Sequence, residues 1–421
     1  MSEPIWRERP GGFEIQPARE GATRIREFIW LSEGLSNAWL VQTPAGRVVI
    51  NTGMGFEGPI HKRNFDAIDP GPVRYVIFTQ GHVDHVGGVD PFLEEGTQVV
   101  AQAGNAAHQA DDARIAAFRA RRSAFAFGDA IRKASQYIRE HLGEEMSPQS
   151  VPRPTITFQD RLDFELGGVR FELLATPGGE TKDSLVVWLP QQGACFTGNL
   201  FSALFGHFPN LVTVRGDRYR DALAFVESAE RVLALEPELL LVGHHQPVVG
   251  RARIREEIER VRDAVRYVHD ETLRYMNRGD DVYTAMREIA LPAKLAVGEG
   301  YGKVAWSVRA IWETYAGWFH QRSTTELYAT PPESIHPELV ALAGGPEPVA
   351  ARAKACAEKG RTLEAIHLAE VVLGAAPGHR GALAASRAAH CQLLEASQNF
   401  WETAWLRREI ARIDGVLEAQ E

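Results

Sequence analysis

Short apolar runs alternate with turns between residues 20 and 250, and this pattern predicts a layered α/β domain. The runs are rich in β-branched and aromatic residues, and Gly or Pro interrupts them at short intervals. Polar segments with helical periodicity lie between some of them. The predicted strands are residues 38–41, 48–51, 73–79, 97–101, 169–174, 184–189, 194–197 and 239–242.

Two segments of this half are predicted to be helical. Residues 107–142 are rich in Ala and Arg and have little continuous apolar face, so we interpret them as an insertion that covers a site. After Asp217, apolar residues recur at three-to-four spacing, which predicts an amphipathic helix that Asp217 caps and that Pro237 ends.

Strand patterns vanish after Gly250, and the carboxyl half is predicted to be helical. We therefore expect a catalytic domain at 1–250 and a helical domain at 251–421. Residues 347–412 resemble a tetratricopeptide-type helix pair, although one or two such units are too few for a solenoid. This favours a dimerisation or docking module over a peptide-binding array.

Composition and charge narrow the classes of function. The 421 residues include 55 acidic and 46 basic side chains, so the net charge of −9 disfavours nucleic acid as a partner. No apolar run reaches the roughly 18 residues of a membrane span, and the amino terminus lacks the apolar core of a secretory signal. Three cysteines lie far apart without CxxC spacing, which favours a reducing compartment. We expect a cytoplasmic protein.

The segment YVIFTQGHVDHVGGVD, residues 75–90, has the strongest chemical signature. Gln80, His82, Asp84 and His85 follow a predicted strand, on the loop before a glycine pair. Imidazole nitrogen and carboxylate oxygen suit zinc and related divalent ions. The loop therefore predicts a site for one metal ion or two adjacent ions.

Further candidate ligands follow three later strands. LATPGGETKDS contains Glu180 and Asp183, ACFTGN places Asn199 at a strand end, and LLLVGHHQPV places His244 and His245 beyond another. Side chains at the carboxyl ends of separate strands converge on one edge in layered α/β enzymes. Of the adjacent histidine pair, we expect His244 to be the ligand.

This ordered set resembles the metallo-β-lactamase superfamily, whose pieces read THxHxDHxGG, TPGH, a strand-end GD and a later GH. The resemblance covers about residues 30–250 and implies an αββα sandwich. Position by position, it implies one metal site at Asp84, His85 and His244, while His82 matches the other.

Four positions depart from the pattern of that superfamily. Gln80 replaces the first histidine, Gly179 or Glu180 the TPGH histidine, Asn199 the bridging aspartate, and Asn51 a common aspartate. A neutral carbonyl oxygen is a poorer zinc ligand than imidazole. We expect one strong site, and a second that is weak or that depends on Glu180 or Asp183.

The chain also resembles the alkylsulfatases of that superfamily. The string NLVTVRGDRYRDALAF at 210–225 is similar to the segment that follows the metal loop in alkylsulfatases. The alkylsulfatase counterpart of TPGH carries a glutamate, which Glu180 matches. YGKVAWSVRAIWETYAGWF, PPE and AGG, within about residues 255–405, look like the alkylsulfatase dimerisation domain. This second resemblance implies a homodimer formed through the helical domain.

Together the two resemblances imply a metal-dependent hydrolase of a small anionic ester, most simply a sulfate ester. Zinc would activate water, with iron or manganese as alternatives. Asp84 is expected to be both ligand and orienter of the nucleophile. Arg215 either presents its guanidinium to the anion or only flanks the helix cap, and Lys182 is a second candidate for steering.

Three alternatives stay open at this point. The bond cleaved could belong to a lactone, a thioester or a carboxylic ester. The replacements at Gln80 and Asn199 could instead have left a binding or scaffold protein without hydrolytic activity. A redox role with iron is the third alternative, because histidine and carboxylate also suit that ion.

Overall fold

The computed structural model describes residues 3–11, 16–143 and 145–421. The strands of these residues lie in two sheets, one formed by β1 to β7 and the other by β8 to β13. The strands are β1 Thr23–Arg26, β2 Ile29–Ser32, β3 Ala38–Thr43, β4 Gly46–Ile50, β5 Val73–Ile77, β6 Gln98–Gln102, β7 Ile156–Phe158, β8 Arg161–Leu166, β9 Val169–Ala175, β10 Leu185–Leu189, β11 Ala194–Gly198, β12 Leu239–Val242 and β13 Val248–Val249.

Each sheet combines antiparallel and parallel pairs. The first sheet follows chain order, antiparallel from β1 to β4 and parallel from β4 to β7. The second has the order β13-β12-β11-β10-β9-β8 and is antiparallel except where β11 pairs with β12. As a consequence β9, β11 and β12 run in the same direction.

The α-helices of the described residues flank the sheets or follow them in the chain. They are α1 Ile5–Glu8, α2 Gly58–Asp66, α3 Val83–Val86, α4 Asn105–Arg114, α5 Ala116–Tyr137, α6 Ala222–Leu233, α7 Arg251–Arg278, α8 Val282–Glu288, α9 Val304–Ala316, α10 His336–Leu342, α11 Pro346–Glu358, α12 Thr362–Ala375, α13 Arg380–Ala396 and α14 Phe400–Glu418. A π-helical turn, Ile138–Leu142, continues α5. Short 3-10 helices are Asp90–Phe92, Pro190–Gln192, Ala293–Leu295, Thr324–Leu327 and Pro332–Ile335.

Apolar side chains on both faces of both sheets explain the layers. Between the sheets, Trp39 meets Phe196 edge to face, with ring centroids 5.7 Å apart. The outer face of the first sheet packs against Phe65 of α2. The outer face of the second packs against apolar residues of α6 and α7, such as Phe225 and Ile258. The helix, sheet, sheet, helix order confirms the predicted fold.

The eight predicted strands are present, within one or two residues of the expected bounds. The amphipathic helix is present as α6, but its predicted cap is wrong. Asp221 caps it, since its carboxylate accepts from the backbone N–H groups of Leu223 and Ala224 at 2.8 and 2.9 Å. Asp217 lies upstream in the loop, and the helix already ends at Leu233.

The chain divides into the compact units Met1–Thr314 and Tyr315–Glu421. The last strand ends at Val249, as the pattern predicts, yet the first unit continues beyond it because α7 packs on α6. In the second unit the regular structure of the described residues is helical, and α11, α12 and α13 pack through small residues. No helix among the described residues is long and apolar enough to cross a membrane.

Candidate metal centre

Four strands deliver the predicted site residues to one edge of the sandwich. They are β5, β9, β11 and β12, and the loop after each carries one or more of those residues. A hydrogen bond of 2.8 Å from the backbone N–H of Leu185 to the carbonyl of Thr79 joins the two sheets at this edge. Asn51 supports the same loop, because its amide donates to the Thr79 hydroxyl and accepts from the Thr79 backbone N–H, each at 3.0 Å.

Asp84, His85 and His244 meet at this edge, with one ligand atom of each within 4.8 Å of the others. The Oδ2 atom of Asp84 lies 3.5 Å from Nε2 of His85 and 3.7 Å from Nε2 of His244. His85 is fully buried, and neither of its ring nitrogens has a hydrogen-bond partner among the described residues. Buried polar atoms normally have partners, so this arrangement fits a bound cation.

The electrostatics of this cluster also suit a metal ion. Burial lowers the pKa of His244 to about 4 and also lowers that of His85, which keeps the imidazoles neutral and able to ligate. Burial alone would raise the pKa of Asp84, but its histidine neighbours outweigh that effect and lower it. Two neutral imidazoles and a carboxylate are a donor set that zinc accepts, so the residues fit the ion.

The backbone around Asp84 is held closely. A hydroxyl hydrogen bond from Ser36 reaches the carbonyl oxygen of Asp84, and the backbone N–H of Thr52 donates to that of His85 at 2.8 Å. A Cβ atom at Gly88 would lie 2.1 Å from the Thr52 carbonyl oxygen. The second residue of the glycine pair is therefore required for the close approach of the two backbones.

The other predicted ligands form a separate group beside this cluster. The Gln80 side-chain oxygen accepts from the backbone N–H of Asn199 at 2.9 Å, and its nitrogen lies 2.8 Å from Nδ1 of His82. Glu180 places one carboxylate oxygen 3.4 Å from that same Nδ1. Its other oxygen lies 2.6 Å from the guanidinium of Arg220. Burial raises the pKa of Glu180 to about 7, although Arg220 favours the carboxylate.

The sequence did not predict the place of three residues in this group, namely Arg220, Asp217 and Arg119. Asp217 places Oδ2 3.7 Å from Nε2 of His82, on the ring side away from Gln80. Arg119, from α5, pairs with Asp217 at 3.0 Å, and Arg215 lies farther from the carboxylate, at 3.9 Å. Burial would raise the pKa of Asp217, but the neighbouring His82 and the two guanidinium groups lower it. The loop conformation, which no pattern revealed, brings Asp217 here.

Two sequence candidates lie outside the metal cluster. Asp183 faces α4, where it accepts from the side-chain amide of Asn105 at 2.8 Å and lies 3.8 Å from a ring nitrogen of His108. His245 has a left-handed backbone conformation with φ of 63°, and its carbonyl accepts from the Asn37 amide at 2.8 Å. Neither belongs to the group that could hold an ion.

A cavity of about 530 Å³ opens beside Asp84 and His244. Its polar end contains Arg215, Arg220 and the hydroxyl-bearing Tyr301. Part of its apolar lining comes from α4 and α5, through Ala113, Ala116, Ala120, Phe127 and Ile131. The 107–142 segment therefore lines a cavity, as its composition suggested, whereas Lys182 is exposed and does not line it.

Comparisons with known proteins agree with this architecture. A family model for alkyl sulfatase dimerisation matches residues 284–409. A linear primary-alkylsulfatase of Pseudomonas sp. (strain ATCC 19151) is 29% identical over 331 residues, which cover 74% of this chain and 61% of that protein. The alkyl/aryl-sulfatase BDS1 of Saccharomyces cerevisiae is 26% identical over 427 residues, covering 92% of this chain and 63% of the yeast protein.

The chain spans somewhat under two thirds of the length of these relatives. Among solved structures, the stereoselective inverting sec-alkylsulfatase Pisa1 from Pseudomonas sp. matches with a TM-score of 0.82 and 22% identity. That match covers 94% of this chain and 66% of the other. The model of the metallo-β-lactamase superfamily matches residues 31–244, about half of the chain. With its two-sheet sandwich and the metal-type cluster at one sheet edge, the chain belongs to the metallo-β-lactamase superfamily.

Proposed function

We propose that this protein is a metal-dependent hydrolase of sulfate esters, with an alkyl sulfate as substrate. The observation that carries the proposal is the Asp84, His85 and His244 cluster, which borders a cavity lined by guanidinium groups, among them that of Arg215, and by apolar side chains. The alkylsulfatase relatives, and the alkyl sulfatase dimerisation model, supply independent support for this substrate class.

Zinc is the proposed ion, held by Asp84, His85 and His244. When bound, it supplies a water molecule whose pKa falls to roughly 7, so that hydroxide is available near neutral pH. The Asp84 carboxylate, besides holding the ion, would orient that nucleophile. Arg215 is proposed to bind the anion, because its guanidinium can donate two parallel hydrogen bonds to sulfate oxygens.

The apolar lining is the proposed site of the alkyl chain. Each buried methylene group contributes about 0.8 kcal/mol, which corresponds to roughly a fourfold gain in affinity. The small side chains of Ala116 and Ala120 leave room for the chain, and Phe127 and Ile131 bound the space. Longer linear alkyl sulfates should therefore react with higher kcat/KM until the cavity is filled.

The test is a substrate panel assayed with the zinc-loaded protein. It contains alkyl sulfates of increasing length, and carboxylic esters, thioesters and lactones with matched alkyl groups. The proposal expects sulfate release to dominate and to vanish in His85→Ala. Turnover restricted to another bond type would replace the substrate class. A protein that takes up no zinc and cleaves no substrate of the panel would instead support a binding or scaffold role. Activity that requires redox-active iron would support a redox role.

A homodimer is the proposed assembly. In the second unit, large apolar side chains are exposed, including Trp318, Tyr328, Leu342 and Leu363. Large apolar side chains that are exposed in the single chain can be covered at an interface, and the dimerisation model that matches this region favours a second copy as the partner. Light scattering during gel filtration distinguishes a dimer of about twice 46.6 kDa from a monomer.

We further propose a cytoplasmic location, because the cysteines are free thiols. Cys195 and Cys356 are buried, Cys391 is partly buried, and none is paired. Such thiols persist in reducing compartments. Fractionation of the native host cells, followed by immunodetection, tests the location, and recovery outside the cytoplasm would contradict it.

A further inference from the structure

We infer that this chain holds one metal ion rather than two, and that a network of hydrogen bonds and ion pairs fills the place of the second. The inference rests on the proposed function for the ion at Asp84, His85 and His244. It concerns the neighbouring group at Gln80, His82 and Glu180, the counterpart of the other metal position.

The orientation of the Gln80 amide is the first reason. A backbone N–H can only donate, so the atom that faces the Asn199 N–H at 2.9 Å must be the oxygen of the Gln80 amide. The NH₂ group therefore faces Nδ1 of His82 at 2.8 Å. A donor group turned toward the site repels a cation, so Gln80 is not a metal ligand in this conformation.

The protonation of His82 follows from that contact. Its Nδ1 accepts from the Gln80 NH₂ group, because the 2.8 Å contact is shorter than the 3.4 Å distance to the Glu180 carboxylate. A neutral imidazole carries its proton on the other nitrogen, and Nε2 faces the Asp217 carboxylate at 3.7 Å. Neither nitrogen then offers a free electron pair to a metal.

The carboxylates of this group already have cationic partners. Glu180 pairs with Arg220 at 2.6 Å, and both side chains are over nine-tenths buried. Asp217 pairs with Arg119 at 3.0 Å, and Arg215 lies 3.9 Å away. Three guanidinium groups thus stand near two carboxylates, and a dication added here would meet repulsion without a surplus of negative charge.

Asn199 does not supply the anionic ligand that two neighbouring metal ions would share. A shared ligand between two cations is commonly anionic, and the buried amide of Asn199 is neutral. The two groups differ in their imidazoles. Neither ring nitrogen of His85 has a partner among the described residues, whereas His82 has a hydrogen-bonded Nδ1, although its Nε2 and the side-chain oxygen of Asn199 also lack partners there. The first cluster therefore leaves both nitrogens of a buried imidazole for a cation, whereas in the second group Nδ1 of His82 is already taken.

Metal stoichiometry tests the inference on the full chain. Protein freed of metal by a chelator is loaded with excess Zn²⁺, gel-filtered and assayed by elemental analysis. We expect one equivalent in the unmodified chain and in His82→Ala, and less than a tenth of an equivalent in His85→Ala. Two equivalents in the unmodified chain would overturn the single-ion inference and leave the proposed function standing. Absence of bound zinc would instead overturn the proposed function.

Electron paramagnetic resonance of the Mn²⁺-loaded protein gives a second readout, and it needs no variant. One ion per chain produces an isolated six-line spectrum at saturation, whereas an exchange-coupled multiline spectrum would contradict the inference. The double variant Gln80→His with Asn199→Asp supplies an imidazole and a carboxylate, and we expect it to bind a second equivalent. Circular dichroism and thermal unfolding confirm that each variant is folded before its zinc content is interpreted.

Discussion

Arg215 offers the sharpest test of the proposal that the cavity recognises an anionic ester. The side chain lines the cavity, and its nearest carboxylate, Asp217, lies 3.9 Å away and pairs more closely with Arg119, at 3.0 Å. Replacement Arg215→Ala therefore leaves Asp217 with a cationic partner. Under the proposed function, the variant loses the interaction with the sulfate group of the substrate.

The magnitude follows from the kind of bond. Hydrogen bonds to charged groups contribute about 1.5–3 kcal/mol, and about 1.4 kcal/mol corresponds to a factor of ten in rate. We expect kcat/KM for an alkyl sulfate to fall about 10- to 150-fold in Arg215→Ala, with partial recovery in Arg215→Lys. The assay measures inorganic sulfate release, and inhibition by free sulfate should weaken by a similar factor.

Arg218→Ala is the matched control, because Arg218 is 72% exposed and pairs with Asp111 at 2.8 Å on the surface. Its kcat/KM should stay within about twofold of the unmodified value, as expected for a surface ion pair. If Arg215→Ala binds zinc, folds normally and retains full kcat/KM, the assignment of Arg215 to the anion is wrong.

Three further outcomes follow from the structure. Glu57 is fully buried and accepts from three backbone N–H groups at 2.8–3.0 Å. Glu57→Ala should therefore lower the free energy of unfolding, measured in urea, by about 3 kcal/mol or more, and Glu57→Gln should lower it by less. A loss below about 1 kcal/mol in the alanine variant would contradict this. Burial lowers the pKa of His61 to about 3. In the unfolded chain the same side chain has a pKa of about 6.5 and binds a proton below it, so the free energy of unfolding should fall as the pH drops from 6.5 toward 3, by at most about 1.4 kcal/mol per pH unit for this group. Urea unfolding of metal-free His61→Gln should show a weaker fall than the unmodified chain, and an equal fall would count against the idea. Leu342 is 84% exposed in the second unit, so Leu342→Asp should convert the proposed dimer to a monomer in light scattering. The control Val249→Asp, at a 61% exposed position of the first unit, should leave the dimer intact. A dimer that persists in Leu342→Asp would show that this residue lies outside the interface.

Most buried strands were predictable because their residues are apolar on both faces, although the buried strand β2, Ile29–Ser32, was missed. All five residues of β10 and all four of β12 are buried, so their β-branched and aliphatic runs stand out in the sequence. Edge strands were missed for the opposite reason. β8, Arg161–Leu166, alternates exposed and partly buried positions and carries charges, so it lacks such a run.

The candidate metal cluster was predictable because its residue types and their order along the chain are distinctive. The role of Gln80 was not, because the orientation of its amide depends on the backbone N–H of Asn199, 119 residues away. Asp217 was assigned to a helix cap, whereas its position beside His82 depends on the loop and on Arg119 of a distant helix. Contacts of this kind exist only in the folded chain.

The most direct test of the account is an anomalous-difference map at the zinc absorption edge, from crystals of the zinc-loaded protein. We predict one peak within bonding distance of Asp84, His85 and His244, roughly 2.0–2.2 Å from each ligand atom, and none beside His82. A map with no peak among those three side chains would contradict the central claim that they bind the metal ion.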